Sequence, residues 1–215
     1  MRDGWIGILM LDTAFPRPPG DVGNPATFDG RVRYATVPRA SVERVVKEDA
    51  EGLLAPFVAA GRRLAEEGAA VIGTSCGFLA PLQQALAKAL PVPTVASALV
   101  AAREVASPGI VTFDAASLGP RHLDAAAVPP GTPVEGMAEG GALQRAVLGD
   151  RPSLDMLAVE AEAVAAASRL HDRGARTLVL ECTNLGPYVA AMRAATGLPT
   201  VGIADLLLTA LRRVG

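Results

Sequence analysis

The chain has 215 residues, of which 50% are hydrophobic and 20% are charged, and its formal net charge is −2. This composition is typical of a compact soluble protein, and a charge this small gives no electrostatic reason to expect nucleic acid or an anionic membrane as a partner. The apolar run at residues 5–11 is shorter than a signal-peptide core, and no apolar run approaches the roughly eighteen residues of a membrane span. We therefore expect a cytoplasmic protein whose two cysteines do not form a structural disulfide.

Short apolar runs alternate with amphipathic segments along the chain, a pattern typical of an α/β fold with mostly parallel strands. The predicted strands cover residues 5–11, 33–37, 69–73, 109–113 and 177–180. The predicted helices cover residues 41–67, 79–90, 96–106, 153–173, 185–196 and 205–213, with Gly52, Pro56 and Gly61 able to break the first. Residues 13–28 and 129–141 are rich in proline and glycine and are predicted as long loops, which are often functional.

An internal repeat relates residues 63–95 to residues 169–201 at an offset of 106 positions. Twelve of the 33 aligned positions are identical, and they include the chain's only cysteines, Cys76 and Cys182. Two copies of one strand–helix–strand unit predict an α/β protein of two pseudo-symmetric lobes, each with a mostly parallel sheet flanked by helices. The first lobe is expected to cover residues 1–95, with the helix at 205–213 packing back onto it, and the second lobe residues 96–204.

Each cysteine follows an apolar strand and precedes a helix, which places it at the sheet edge where ligands bind. The start of a helix favours a thiolate, and two facing lobes would bring the thiols to opposite sides of a shared cleft. Inversion of a stereocentre by proton transfer needs a base on one face of the carbon and an acid on the other. The pattern therefore predicts Cys76 and Cys182 as alternating base and acid at a carbon next to a carboxyl group. Buried structural cysteines are the alternative interpretation.

No cofactor and no metal ion are expected. The only lysines, Lys47 and Lys88, lie in stretches that are predicted as exposed helix, which disfavours the Schiff-base chemistry of pyridoxal phosphate. The only histidines, His122 and His171, have no spacing typical of metal ligands, and a surface position is favoured for His122.

The segments 74–78 (TSCGF) and 181–185 (ECTNL) resemble the two cysteine motifs of the aspartate/glutamate/hydantoin racemase superfamily. Members of that superfamily are two-lobed and cofactor-independent, with one catalytic cysteine in each lobe. The resemblance implies a racemase that inverts the α-carbon of an aspartate- or glutamate-like amino acid, or of a derivative such as a hydantoin. Aspartate and glutamate racemases usually carry Asn-Thr after the first cysteine, where this chain has Gly77-Phe78, and this departure leaves the substrate open.

Short polar residues beside the cysteines, and one in the loop after the first strand, are predicted to hold a small-molecule carboxylate substrate. They are Asn24, Ser75, Gly77, Thr183 and Asn184. Asn24 is equally well interpreted as a turn residue before Pro25. Arg17 could pair with a carboxylate, but a solvated loop residue is the favoured interpretation. On strand alternation, Glu181 is expected to point away from Cys182.

Several other functions are compatible with the same motifs. A maleate-type cis-trans isomerase and a malonate decarboxylase occur in the same superfamily, and a two-lobed cleft can also belong to a non-catalytic small-molecule binding protein. A thiol redox protein is disfavoured because the cysteines lack the Cys-x-x-Cys spacing. A homo-oligomer is compatible with the sequence.

Overall fold

A computed structural model describes residues 4–214 of the chain, which build two four-stranded sheets. The strands of the first sheet are β1 (Trp5–Met10), β2 (Val32–Thr36), β3 (Ala69–Thr74) and β4 (Thr94–Val95). Those of the second sheet are β5 (Pro108–Thr112), β6 (Val134–Gly136), β7 (Thr177–Leu180) and β8 (Thr200–Val201). The strand orders β2-β1-β3-β4 and β6-β5-β7-β8 are equivalent, and every pairing is parallel. The predicted α/β fold of two pseudo-symmetric lobes is confirmed.

Helices cover both sheets. They are α1 (Val42–Val46), α2 (Leu54–Glu66), α3 (Gln83–Ala89), α4 (Pro120–Ala125), α5 (Ala142–Leu148), α6 (Met156–Asp172), α7 (Val189–Thr196) and α8 (Ile203–Val214). Four short 3-10 helices cover Pro25–Phe28, Gly77–Leu82, Ala98–Ala101 and Thr183–Tyr188. Every residue of β5 and of β7 is buried, so both faces of these strands are covered, and this burial explains their uninterrupted apolar sequences.

Several predicted elements differ from the structure. The predicted helix at 41–67 is two helices, because Asp49, Ala50 and Gly52 adopt positive φ values between α1 and α2. The predicted helix at 96–106 is wrong, since only Ala98–Ala101 is helical, as a single 3-10 turn with an N-cap bond from Leu99 N to Ser97. The predicted loop at 129–141 contains the short strand β6, and α4 and α5 were not predicted.

The C-terminal helix packs on the first sheet, although it follows the last strand of the second. Helix α8 contacts β1, β3 and β4, and its buried face includes Leu207 and Leu211. A Cβ atom at Gly73 would lie 2.5 Å from Leu207 Cδ1, so glycine on β3 permits this close approach. Across the described residues, no helix combines the length and the apolar character that crossing a bilayer requires.

Candidate active site

The two cysteines occupy equivalent strand-to-helix junctions. Cys76 lies beyond β3 and directly precedes the 3-10 helix Gly77–Leu82, and Cys182 lies beyond β7 and directly precedes Thr183–Tyr188. Both side chains line the same cavity, whose volume of about 30 Å³ suits a water molecule rather than an amino acid. Because the cavity also receives residues of both lobes, it lies in the cleft between them.

Residues flanking the cysteines contact each other across the cleft in a pseudo-symmetric pattern. The hydroxyl of Thr183 donates to the backbone oxygen of Ser75 at 2.7 Å. In the equivalent pair, Glu181 packs against Gly77 so closely that a Cβ atom there would lie 2.1 Å from the Glu181 carbonyl oxygen. In both pairs, the residue before one cysteine meets the residue after the other. The two cysteine loops are therefore held together directly.

Burial keeps both thiols protonated at neutral pH. Burial is the largest cause that raises the pKa of Cys76 to about 12 and that of Cys182 well above its usual value, and the Glu181 carboxylate raises both further. A backbone N–H two residues later, from Phe78 for Cys76 and from Asn184 for Cys182, acts in the opposite direction. The expectation that the helix start favours the thiolate identified this N–H contribution but missed the larger effect of burial.

Glu181 is a buried carboxyl group of the cavity. It is 0% exposed, and its Oε2 accepts hydrogen bonds from Thr112 Oγ1 at 2.7 Å and from the Phe113 N–H at 3.4 Å. Its Oε1 has no hydrogen-bond partner among the described residues. Burial raises the pKa of Glu181 from 4.5 to about 7, against the lowering effect of these two hydrogen bonds. Strand alternation predicted that Glu181 points away from Cys182, whereas the structure places it in the cavity lining with both cysteines.

Arg17 was predicted to be solvated, but its side chain is only 10% exposed and lines the cavity. It donates to Asp21 Oδ1 at 3.1 Å, and its guanidinium carbon lies 4.4 Å from the centre of the Phe15 ring. The other carboxylate oxygen of Asp21 accepts a 2.6 Å hydrogen bond from the Asn184 amide. The Oδ1 atom of Asn184 lies 3.6 Å from Cys182 Sγ, so a polar chain connects Arg17 with a cysteine. The sequence signal for this ion pair was the spacing of four residues between Arg17 and Asp21.

The remaining predicted substrate-binding residues divide into two groups. Ser75, Gly77, Thr183 and Asn184 line the cavity with the cysteines. Asn24 is not among the lining residues; its side chain accepts from Ala26 N and donates to the Arg17 carbonyl oxygen. It therefore caps the 3-10 helix that follows, as the alternative interpretation of a turn residue expected, and steadies the backbone of Arg17.

Apolar side chains form most of the remaining wall. They are Leu11, Phe15, Val42, Val46, Phe78, Phe113 and Val147. The ring of Phe78 rests edge-on against His122, with 5.1 Å between the ring centres. His122 was predicted at the surface but is 2% exposed, and burial lowers its pKa, so the imidazole is neutral at pH 7.

A second cavity, of about 260 Å³, adjoins the first, and Cys182 and Thr183 line both. Its walls also include Arg193 and Asp205. Within residues 4–214, no three histidine, cysteine or acidic side chains cluster in a way that could hold a metal ion.

The architecture of the chain is similar to that of several solved structures. Arylmalonate decarboxylase matches with a TM-score of 0.61 at 18% identity, over 97% of this chain and 91% of that one. A glutamate racemase from Bacillus anthracis matches with a TM-score of 0.56 at 16% identity, over 100% of this chain and 82% of the other. The chain therefore shares the fold of these two enzymes.

In sequence, the chain is similar to dimethylsulfoniopropionate lyase 3 of Emiliania huxleyi (strain CCMP1516). The two are 30% identical over 216 aligned positions, which cover 90% of this chain and 55% of the lyase. The chain thus spans about half the length of that curated relative. No family model matches the sequence.

Proposed function

We propose that this chain is a cofactor-independent enzyme that moves the proton on the carbon next to a substrate carboxylate, with Cys76 and Cys182 as its acid–base pair. The observation that carries the proposal is that both thiols line one cavity from equivalent junctions of two pseudo-symmetric lobes. Related by a pseudo-two-fold axis, they would face a bound carbon from opposite sides. That arrangement suits general base and general acid catalysis on the two faces of one stereocentre.

Racemisation is the reaction that uses both thiols. One cysteine, as thiolate, takes the α-proton, and the electron pair left on carbon delocalises into the neighbouring carboxylate. The opposite thiol then donates its proton to the other face, which inverts the centre. Arg17 and the backbone N–H groups that follow each cysteine are the groups available to stabilise the charge that develops.

The cavity wall favours a substrate with one carboxylate and an uncharged remainder. Arg17 is the only lysine or arginine among the lining residues of the described chain, and it already pairs with Asp21. A second substrate carboxylate would be desolvated without a partner, which is costly. We therefore favour a monocarboxylate with an apolar substituent over aspartate or glutamate. A hydantoin, in which a ring carbonyl takes the place of the carboxylate, is also compatible with this wall. The cleft must widen to admit either, because the closed cavity is about 30 Å³.

Two single variants test the pair of bases. We expect Cys76→Ser and Cys182→Ser each to lose racemisation by at least about 100-fold, because a serine hydroxyl is a far weaker acid than a thiol. In D₂O, each variant should still exchange the α-proton of only one enantiomer, the one whose base remains. Full racemisation by either variant would contradict the two-thiol mechanism, provided that thermal unfolding shows both variants to be folded.

A lyase is the second candidate, and the similarity to dimethylsulfoniopropionate lyase 3 favours it. A thiolate would take the α-proton, the electron pair would form the carbon–carbon double bond, and the carbon–sulfur bond would break. Dimethyl sulfide would leave with the bonding electrons, and acrylate would remain. The rings of Phe15, Phe78 and Phe113 line the cavity, and aromatic faces bind apolar cations such as a sulfonium group.

A substrate panel separates these candidates. The protein is incubated in D₂O with hydantoins, amino acids, dimethylsulfoniopropionate, phenylmalonate and maleate, and the products are followed by NMR and optical rotation. Exchange with loss of optical activity supports racemisation, and acrylate supports elimination. Release of CO₂ supports a decarboxylase, and fumarate supports an isomerase. Binding without any reaction would favour the non-catalytic binding protein.

A further inference from the structure

The cavity contains a third acid–base group that the two-thiol mechanism does not use. Glu181 is fully buried, and its Oε1 atom has no hydrogen-bond partner among the described residues. Leaving a buried carboxylate oxygen unpaired is costly, and this carboxyl group also lines a cavity with two cysteines, so the two observations together point to a function. Nothing in the packing of the sheet requires a carboxyl group at the end of β7, because the equivalent residue of the first lobe is Ser75.

The position of Glu181 connects the two cysteines. It immediately precedes Cys182, and its Oε1 would lie 2.4 Å from a Cβ atom on Gly77, the residue after Cys76. It lines one cavity with both cysteines, and its negative charge raises the pKa of each thiol. Thr112 and Phe113 at the end of β5 fix its other oxygen, so Oε1 stays on the side of the cysteines.

We propose that Glu181 is the proton acceptor for both cysteine thiols, taking on Oε1 the proton that a thiol must lose before it can act as a base. This inference rests on the proposed function. In the first step, the S–H bond of Cys76 breaks and the proton moves to Glu181, which leaves a thiolate and a neutral carboxylic acid. The total charge of the three groups stays at −1.

Glu181 also completes the catalytic cycle by returning the proton. The Cys76 thiolate takes the α-proton and becomes a thiol again, and Cys182 protonates the opposite face and becomes a thiolate. The carboxylic acid of Glu181 then returns its proton to Cys182, which restores the starting state. Run from Cys182, the same steps serve the other enantiomer. One carboxyl group can therefore serve both directions because it lines the same cavity as both thiols.

Two further charged groups face this trio from the loop after β1. Arg17 acts on Cys76 and lowers its pKa, and Asp21 acts on Cys182 and raises its pKa. These two residues form an ion pair with each other at 3.1 Å, so they contribute opposite charges to the same side of the cavity. The pH dependence of the site therefore depends on Glu181, the two thiols and this ion pair.

A purely electrostatic role for Glu181 predicts the opposite result to proton transfer. If its charge only opposes thiolate formation, Glu181→Gln makes the thiols more acidic and speeds turnover above pH 7. If Glu181 carries the proton, the same variant still alkylates faster with iodoacetamide above pH 7, but its turnover falls. Glutamine has nearly the shape of glutamate, and its amide oxygen can accept the hydrogen bonds from Thr112 and Phe113.

The experiment measures both quantities from pH 5 to 9 on the intact chain, using the panel substrate that wild type converts. For wild type, we expect kcat to rise through pH 7 and then level off. For Glu181→Gln, we expect kcat to fall by at least about 100-fold at pH 8 while alkylation of Cys76 becomes faster. Thr112→Val removes a hydrogen bond to the carboxylate, so the rise in kcat should move up by about one pH unit. Glu162→Gln, a substitution of another carboxyl with an unpartnered oxygen, on α6 and outside the cavity lining, should behave as wild type.

Turnover by Glu181→Gln that equals or exceeds that of wild type at pH 8 would overturn the proposal, and so would an unchanged profile in Thr112→Val. These outcomes differ from a failure of the proposed function. In that case wild type converts no panel compound, and the alkylation profiles alone report whether Glu181 and the thiols titrate together. Alkylation profiles of Glu181→Gln and wild type that coincide would also overturn the proposal, without any substrate.

Discussion

The absence of a side chain at Gly77 and the buried position of Glu181 depend on each other. Aspartate and glutamate racemases usually have asparagine after the first cysteine, and the glycine of this chain is a departure from them. Any Cβ atom at position 77 would lie 2.1 Å from the Glu181 carbonyl oxygen, which is backbone and cannot move aside easily. The missing side chain of one lobe is thus the space in which the other lobe buries its carboxyl group.

Burial of Glu181 makes the stability of the protein depend on pH. Its pKa is raised from 4.5 to about 7, so the neutral form is favoured in the folded state. Its contribution is fully present below pH 4.5 and is lost as the pH rises through 7, and the loss amounts to about 3 kcal/mol. We expect Glu181→Gln to be more stable than wild type by about this amount at pH 8.5, relative to their difference at pH 4.5.

Urea unfolding at pH 4.5 and pH 8.5 measures this effect, and Glu162→Gln again serves as the control. The titration of the two thiols in the unfolded chain is common to both proteins, so it cancels from the difference between them. A difference in unfolding free energy between Glu181→Gln and wild type that is the same at both pH values would contradict a raised pKa.

At the scale of residues, the sequence predicted that the two cysteines and their chain neighbours share a cleft, but not that Arg17 and Glu181 join them there. The repeat identified Cys76 and Cys182 because identical neighbours align around them. Arg17 and Glu181 lie outside any repeated identity, and Glu181 is buried against residues far away in sequence, among them Thr112 and Gly77. A loop arginine and a strand-end glutamate are exposed in most proteins, so their own residue types argued against a place in the cavity.

At the scale of elements, the helices that follow the two cysteines both begin with a 3-10 turn. Each starts as a 3-10 turn with a proline inside, Pro81 in one lobe and Pro187 in the other, and then continues as α3 or α7. The amphipathic pattern predicted both helices but not their 3-10 beginnings, because a proline near a helix start is compatible with either geometry.

The predicted helix at 96–106 failed for a different reason. Its first residues are small and apolar, which favours a helix in isolation, but Ala98, Leu99, Ala101 and Ala102 are all buried. The segment connects the two lobes, and its charged residues Arg103 and Glu104 are exposed only at its end, so it has no continuous amphipathic face. Tertiary packing therefore overrides local propensity at this point.

Helix α8 ties the C-terminus to the first lobe, and Leu207 is its main anchor. We expect Leu207→Ala to lower the free energy of unfolding by about 2–5 kcal/mol, because the side chain is 0% exposed and packs on Gly73. Chemical denaturation measures the change. Leu157→Ala is the matched control, since Leu157 is 81% exposed and its loss should cost almost nothing. Equal stabilities of the two variants would contradict the packing described.

In the whole molecule, polar contacts outside the cavity hold the lobes together. The carboxylate of Asp150 accepts hydrogen bonds from the backbone N–H groups of Ala14 and Phe15, at 2.7 and 2.8 Å. On the same cleft, Lys47 pairs with Asp114 at 2.6 Å. The cavity measures about 30 Å³ and Cys76 is partly exposed, so breaking some of these contacts would widen an existing path to the cysteines.

Removal of the Asp150 carboxylate should therefore open the cleft more often. We expect Asp150→Gly to raise the rate of iodoacetamide alkylation at Cys76 by about tenfold, the equivalent of about one lost hydrogen bond to a charged group. Asp150→Asn is the control, because asparagine keeps an acceptor oxygen and tolerates the positive φ of 44° at this position. Mass spectrometry of the labelled peptide gives the rate, and equal rates in the glycine variant and wild type would show that Asp150 does not limit access.

The sequence also predicted the two-lobed architecture, but not the size of the cavity between the lobes. A repeat at a fixed offset implies two lobes and an axis between them, which is why the fold class was predictable from the sequence. The size of the space between the lobes depends on side chains of both copies that meet only after folding. No local pattern in either copy carries that information.

Thr183 contacts Ser75 across the cleft, and Glu181 contacts Gly77. Because the two contacts use different residue types, the two halves of the chain are complementary but not interchangeable. A chain built from two first halves would contain no counterpart of Glu181 and no hydroxyl at the position of Thr183. One built from two second halves would press a threonine against the glutamate carbonyl where only glycine fits. Substitutions on one side of the repeat therefore constrain those allowed on the other, so the two copies can diverge only in concert.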